Sequence, residues 1–169
     1  TTLFTFYWDI TVDTINFAKQ LCKNQDDVMV GGIMSSLLPK EVEEATGIKA
    51  FIGLLNTPGD IDSDNELIID ELPLDYSILE EIDYVYPANN AYFAYMTRGC
   101  VNKCKFCAVP KLEPQYCDYI NLKKRIEFTD KRFGARKDLL LLDNNVLASK
   151  CYDQIIDEIK ECGFGTGAT

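Results

Sequence analysis

The sequence predicts an α/β protein. Three observations carry that expectation. Residues 1–55 read as strand, helix, strand, helix, strand; residues 91–169 repeat the strand–helix alternation; and a Pro-rich, acidic stretch separates the two. Alternation on this scale is the pattern of a parallel sheet, because parallel neighbours need a crossover connection, usually a helix.

The elements follow in order. Leu3–Tyr7 is a short aromatic and β-branched run of strand type. Residues 11–22 carry helical spacing, with Val12, Ile15, Phe17, Ala18 and Leu21 supplying the apolar face and Asp9 or Thr11 placed to cap it. Val28–Val30 reads as a second strand stopped by Gly31 and Gly32. These glycines suit either a plain strand-ending turn or a relic nucleotide-loop contact. A second helix starts near Pro39, a residue suited to the first turn, and ends at Gly47. Ala50–Gly53 completes this half as a third strand.

Residues 56–90 read as linker, with Pro58, Gly59, Pro73 and Pro87, an acidic run from Asp60 to Glu66, and one short helix around Tyr76–Glu81. Beyond it, Ala91–Met96 is an apolar strand running directly into Thr97, Arg98, Gly99 and Cys100. Leu122–Phe133 is a basic amphipathic helix ending at Gly134, and Leu139–Leu142 is a buried-type strand stopping at Asp143, Asn144 and Asn145. Residues 150–162 close the chain as a helix with Ile155, Ile156 and Ile159 on its apolar face. The predicted organisation is 1–55, a linker at 56–90, and 91–169. The opening at Thr1 reads like the middle of a folded unit, so an internal fragment of a longer protein is expected.

Composition excludes several classes. No apolar run approaches the roughly 20 residues of a membrane-spanning helix, and no secretory signal opens the chain. Residues 1–97 hold 4 basic and 17 acidic side chains, a net of −13, whereas residues 98–137 hold 11 and 4, a net of +7. Residues 138–169 are acidic again, at −4. General polyanion binding does not fit an overall −10. Most lysines of the basic segment read as a solvated helix face. The cysteine count is seven, an odd number unsuited to a disulfide framework, and Cys100, Cys104 and Cys107 crowd into eight residues. A reducing, cytoplasmic setting and a metal or cluster site are the expectation. Cys22, Cys151 and Cys162 fall on helices and read as small buried apolar residues.

Thiolates are natural ligands of zinc and of iron–sulfur clusters, and spacings of three and two residues let one loop wrap a compact centre. The segment Thr97-Arg98-Gly99-Cys100-x-x-x-Cys104-x-Phe106-Cys107, following a strand, resembles the signature of the radical S-adenosylmethionine (SAM) superfamily. Asp143-Asn144-Asn145, at the end of the next strand, lies where that superfamily has a loop for the SAM amino group, although a Gly-Gly-Glu sequence is usual there. The upstream half is similar to the latter part of a cobalamin-binding, Rossmann-like domain. The resemblance implies the end of such a domain followed by the first two βα units of a partial TIM barrel.

It also implies a function. Cys100, Cys104 and Cys107 would hold a 4Fe–4S cluster whose fourth iron is chelated by SAM. Reductive cleavage would yield a 5′-deoxyadenosyl radical that abstracts hydrogen from an unidentified small-molecule or peptide substrate. Phe106 would pack beside the adenine or shield the cluster. Asp143, Asn144 and Asn145 would form the loop at the SAM amino group, with Asp143 and Asn144 accepting from the ammonium, since both carry suitable oxygens. The electron would come from a ferredoxin or flavodoxin. Cobalamin is unsupported, because no histidine is present. Arg98 is open to a role with a carboxylate or to an ordinary ion pair. Family barrels usually have six βα units, so the chain is expected to be a fragment with little turnover. Nucleic acid is not an expected partner; RNA modification of the methylthiotransferase type would rest on the basic segment alone. Two rival readings stay open: a four-cysteine structural zinc site with Cys117, and a non-enzymatic binding module.

Overall fold

A computed structural model describes residues 7–61, 63–81, 83–118 and 121–165. The predicted strand at Leu3–Tyr7 lies outside the described residues except for Tyr7. The chain is mixed α/β and divides into two units, the first made of residues 1–70 and 106–113, the second of residues 71–105 and 114–169. No helix among the described residues is long and apolar enough to cross a membrane.

The first unit is built from helices α1 (Trp8–Leu21), α2 (Ile33–Leu37), α3 (Pro39–Thr46) and the single-turn α4 (Val109–Leu112). Ile15, Val30, Met34, Val42, Ile48 and Ala50 form its core, with Trp8 and Val28 packed against them. Only part of the predicted apolar face of α1 is used. Ile15 is buried, but Phe17 and Leu21 are 60% and 71% exposed. Phe17 is two residues from Ile15, so at 3.6 residues per turn it points to the other side of the helix. Lys19 instead serves the core side, donating from Nζ to the Thr46 carbonyl at 2.5 Å, at the C-terminus of α3. A cation suits that end, where carbonyls lack helical partners. Gly47 then ends α3 in the left-handed region at φ 72°.

The strands predicted at Val28–Val30 and Ala50–Gly53 are not formed among the described residues. Both segments are extended neighbours, yet the backbone bond between them is Phe51 N–H to Val30 C=O, at 2.8 Å, too little for a ladder. Gly53 turns away at φ 91° and donates to Ser36 Oγ at 3.0 Å. Gly32, at φ 109°, lets the chain enter α2 immediately, a helix the pattern did not predict.

The second unit holds the parallel sheet. Strand β1 (Ala91–Ala94) pairs with β4 (Asp138–Leu141), in register from Ala91 opposite Asp138 to Ala94 opposite Leu141. Helix α5 (Leu122–Phe133) lies between them in sequence and packs on β1 and on α6 (Tyr152–Glu161). Ala94, Met96, Leu122 and Ile155 are the buried centre, joined by Ile126, Leu139, Leu141 and Ile159. Strand β4 is half-buried, not buried throughout. Leu139 and Leu141 face the helices while Leu140 and Leu142 are each 40% exposed, as the period of two requires when helices cover one face. Two further short strands, β2 (Thr97–Arg98) and β3 (Cys117–Asp118), form an antiparallel pair that the pattern did not reveal.

Tyrosines bolt the N-terminal end of this sheet. The Tyr92 hydroxyl donates to Asp130 and accepts from the Arg136 backbone N–H at 2.9 Å, and the Phe93 N–H donates to Tyr76 Oη at 2.9 Å. Tyr76 opens a turn of 3-10 helix over Tyr76–Leu79, capped by Asp75, whose carboxylate accepts from the Ser77 N–H and hydroxyl. Residues 71–90, predicted as linker, therefore contribute a buried side chain to this unit. With one end of the strands fastened, the C-terminal end is free for loops, where functional groups of parallel α/β folds gather.

Candidate metal centre

β1 delivers the chain to the cysteine loop through Met96 and Thr97, both completely buried. Arg98 is buried too, with its guanidinium 4.3 Å above the centre of the Tyr95 ring, an interaction worth about 0.5–2 kcal/mol. Gly99 follows at φ 72°, a conformation open to glycine without strain, and turns the chain out of β2 into the loop.

The end of β4 meets the end of β1 through Asp143. Its Oδ1 accepts from the Thr97 N–H and the Thr97 hydroxyl, each at 2.6 Å, and the Met96 N–H lies 3.1 Å from both oxygens. Asp143 is therefore first a brace between the two strand ends. Oδ2, which among the described residues receives the shared Met96 donor, keeps acceptor capacity for a further N–H. Asn144 is exposed beside it.

Asn145 reaches the loop. Its Nδ2 lies 3.7 Å from Cys100 Sγ, and the Asn102 backbone N–H approaches the same sulfur at 3.4 Å. Tyr116 donates its hydroxyl to the Asn145 carbonyl at 3.1 Å. Burial pushes the Tyr116 phenol above its ordinary value; Thr97 hydrogen bonding opposes this and the carboxylates of Asp118 and Asp143 add to it. Just beyond, Ser149 donates to Asp118 and accepts from the Cys151 N–H at 2.9 Å. The Cys151 thiol is raised by its hydrogen bond to Asp118 and then by burial. Burial likewise raises Cys162, which packs against the core as an apolar residue would.

The predicted site residues are thus distributed as follows. Cys100, Asp143 and Asn145 come together at the C-terminal end of the parallel pair. Cys104 is exposed in the same unit, whereas Phe106, 94% exposed, and the half-buried Cys107 begin the segment that belongs to the first unit. Cys117 lies in β3 opposite Arg98, exposed. Among the described residues no group of three or more Cys, Asp or Glu side chains is placed to hold a metal ion. The donor chemistry nevertheless suits a cluster: the three thiols are free, belong to an irregular loop, and one of them already receives two N–H donors, as a ligating thiolate does.

The Asp143 brace and the Tyr116–Asn145 pair were not signalled by local pattern. Asp-Asn-Asn after a strand suggests a cap or turn, and nothing in it names a partner 46 or 47 residues away. The fold and site define a mixed α/β protein with a cysteine-rich loop at the C-terminal end of a parallel strand. Compared with family models, curated proteins and solved structures, the chain finds no match.

Proposed function

We propose that this chain is part of a radical SAM enzyme. Cys100, Cys104 and Cys107 hold a 4Fe–4S cluster, and Phe106, Asp143, Asn144 and Asn145 border the place for SAM. One observation carries the reading: the Cys-x-x-x-Cys-x-Phe-Cys loop follows β1, by way of the short β2, at the same end where the parallel neighbour β4 stops before Asp143-Asn144-Asn145, with Asn145 against Cys100. On this reading β1–α5 and β4–α6 are the first two βα units of a partial barrel, and the first unit is the end of a Rossmann-like, cobalamin-binding-type domain.

When bound, the cluster and SAM supply reductive sulfonium cleavage and a hydrogen-abstracting radical. The chain's own residues do the positioning. Gly99 sets the loop's departure, Asp143 fixes the spacing of the two strand ends, Oδ2 of Asp143 and the Asn144 amide offer oxygens to an ammonium group, and the exposed Phe106 ring supplies apolar cover. Metal sites of this sort are completed as the ligand binds, since thiol ligands lose protons and order around the metal together. An electron donor of ferredoxin or flavodoxin type, a small-molecule or peptide substrate and a cytoplasmic location accompany the reading; the seven free cysteines support the last.

Anaerobic reconstitution with iron and sulfide tests it. The expected product is brown, with about four irons per chain, and loses most of its iron in each of Cys100→Ala, Cys104→Ala and Cys107→Ala but not in Cys22→Ala. A colourless protein that takes up one zinc ion and needs Cys117 would replace the reading with a structural zinc site.

A further inference from the structure

Asn145 stands at the N-cap of a 3-10 turn over Val146–Ala148, yet its side chain makes no capping hydrogen bond there. Asparagine at such a position ordinarily spends its side chain on the first free N–H groups of the turn. Here the amide nitrogen is directed instead at Cys100 Sγ, 3.7 Å away. Tyr116 holds the residue from the other side through its hydroxyl and the Asn145 carbonyl, at 3.1 Å. Asn145 is thus held by Tyr116 through its backbone carbonyl and meets the Cys100 sulfur through its side-chain amide, all within the second unit. The Asn102 N–H supplies a second donor to that sulfur.

Resting on the proposed cluster site, we propose that Asn145 is a positioning residue for Cys100: its amide donates an N–H···S hydrogen bond to the ligating sulfur, Tyr116 holds it there, and together they raise the reduction potential of a cluster bound by Cys100. The physical reason is electrostatic. A ligand sulfur carries more negative charge in the reduced state than in the oxidised one, so a donor aimed at it stabilises the reduced state more. The role is distinct from receiving the SAM ammonium, which would use the amide oxygen, whereas the contact with sulfur uses the amide nitrogen.

The full chain, Asn145→Leu and Tyr116→Phe are to be reconstituted with iron and sulfide, then titrated anaerobically with dithionite and redox mediators, without SAM, while the reduced signal is followed by electron paramagnetic resonance. Asn145→Leu preserves approximate size and introduces no charge. Its reduced-to-oxidised ratio at a fixed potential is expected to fall about tenfold, equivalent to a midpoint about 59 mV more negative for a one-electron couple. Tyr116→Phe shifts the same way by less, and decides the matter if Asn145→Leu does not fold. Intact clusters with unchanged or more positive midpoints overturn the inference and leave the cluster reading standing. A full chain that retains no iron overturns both.

Discussion

Removing the Asp143 carboxylate is the most informative perturbation of the protein alone. Met96 and Thr97 are completely buried, and both backbone N–H groups and the Thr97 hydroxyl donate to this one side chain. In Asp143→Ala three donors lose their acceptor, at about 1–3 kcal/mol for each one left unsatisfied. Water can enter the half-buried space once the side chain is gone, so the lower part of that range applies and the total is about 4 kcal/mol. Against a typical stability of about 5–15 kcal/mol this is a large fraction. Asp143→Asn keeps one oxygen in place and loses the charge assistance, at about 1–2 kcal/mol. Amide hydrogen exchange across residues 91–99, read by mass spectrometry, reports the site directly. At 1.4 kcal/mol per factor of ten, Asp143→Ala should accelerate exchange of the Met96 and Thr97 amides about a thousandfold where local opening controls it. A parallel fall in urea midpoint at unchanged slope is expected. A loss below about 1 kcal/mol in Asp143→Ala, with both amides still protected, would show that the brace does not hold the strand ends.

Two further predictions concern the second unit. Burial, and after it the hydrogen bond to Asp130, raises the Tyr92 phenol above its ordinary value of 10.0. The stability it contributes is therefore intact below pH 10 and is lost as pH rises above 10 through the folded-state value. Tyr92→Phe should cost about 1 kcal/mol at neutral pH and flatten that alkaline decline, as urea midpoints at pH 8 and about pH 11 will show; an undiminished decline contradicts it. Ile155→Ala should destabilise by about 2–5 kcal/mol, since Ile155 is completely buried against Ala94, Met96 and Leu122. A thermal midpoint within a degree of the parent would mean that α6 does not pack on the sheet.

The helices and the sheet of the second unit were legible because their signals are periodic and bounded. Leu122–Phe133 shows a basic amphipathic run closed by Gly134, and the structure has that helix with those limits. The apolar runs Ala91–Met96 and Leu139–Leu142 were equally plain, and the structure has strands there at Ala91–Ala94 and Asp138–Leu141. The first unit misled at Val28–Val30 and Ala50–Gly53, since apolar runs state that a segment is buried but not that it finds a hydrogen-bonding neighbour along its length. Phe17 and Leu21 misled through the opposite fault, being apolar without facing the core. The half-buried character of β4 was hidden because four successive leucines erase the alternation that exposure would otherwise print on a strand.

At the candidate centre, residue types and spacing located Cys100, Asp143 and Asn145 but not their division of labour. Asp143 and Asn144 were expected as acceptors for SAM, but no local pattern indicated that Asp143 accepts from Met96 and Thr97 or that Asn145 directs a donor at sulfur. These are contacts between residues 45 to 47 positions apart, decided by how the two parallel strands lie in register, which no local motif encodes.

The proposed function turns on whether the cysteine loop carries a cluster with a coordination position open to SAM. Its most direct test is the electron paramagnetic resonance spectrum of the dithionite-reduced, reconstituted chain before and after SAM is added. The expected result is a reduced-cluster signal that changes shape with SAM and is lost in Cys100→Ala. A signal indifferent to SAM at saturating concentration, or an iron-free protein giving no signal at all, would contradict it.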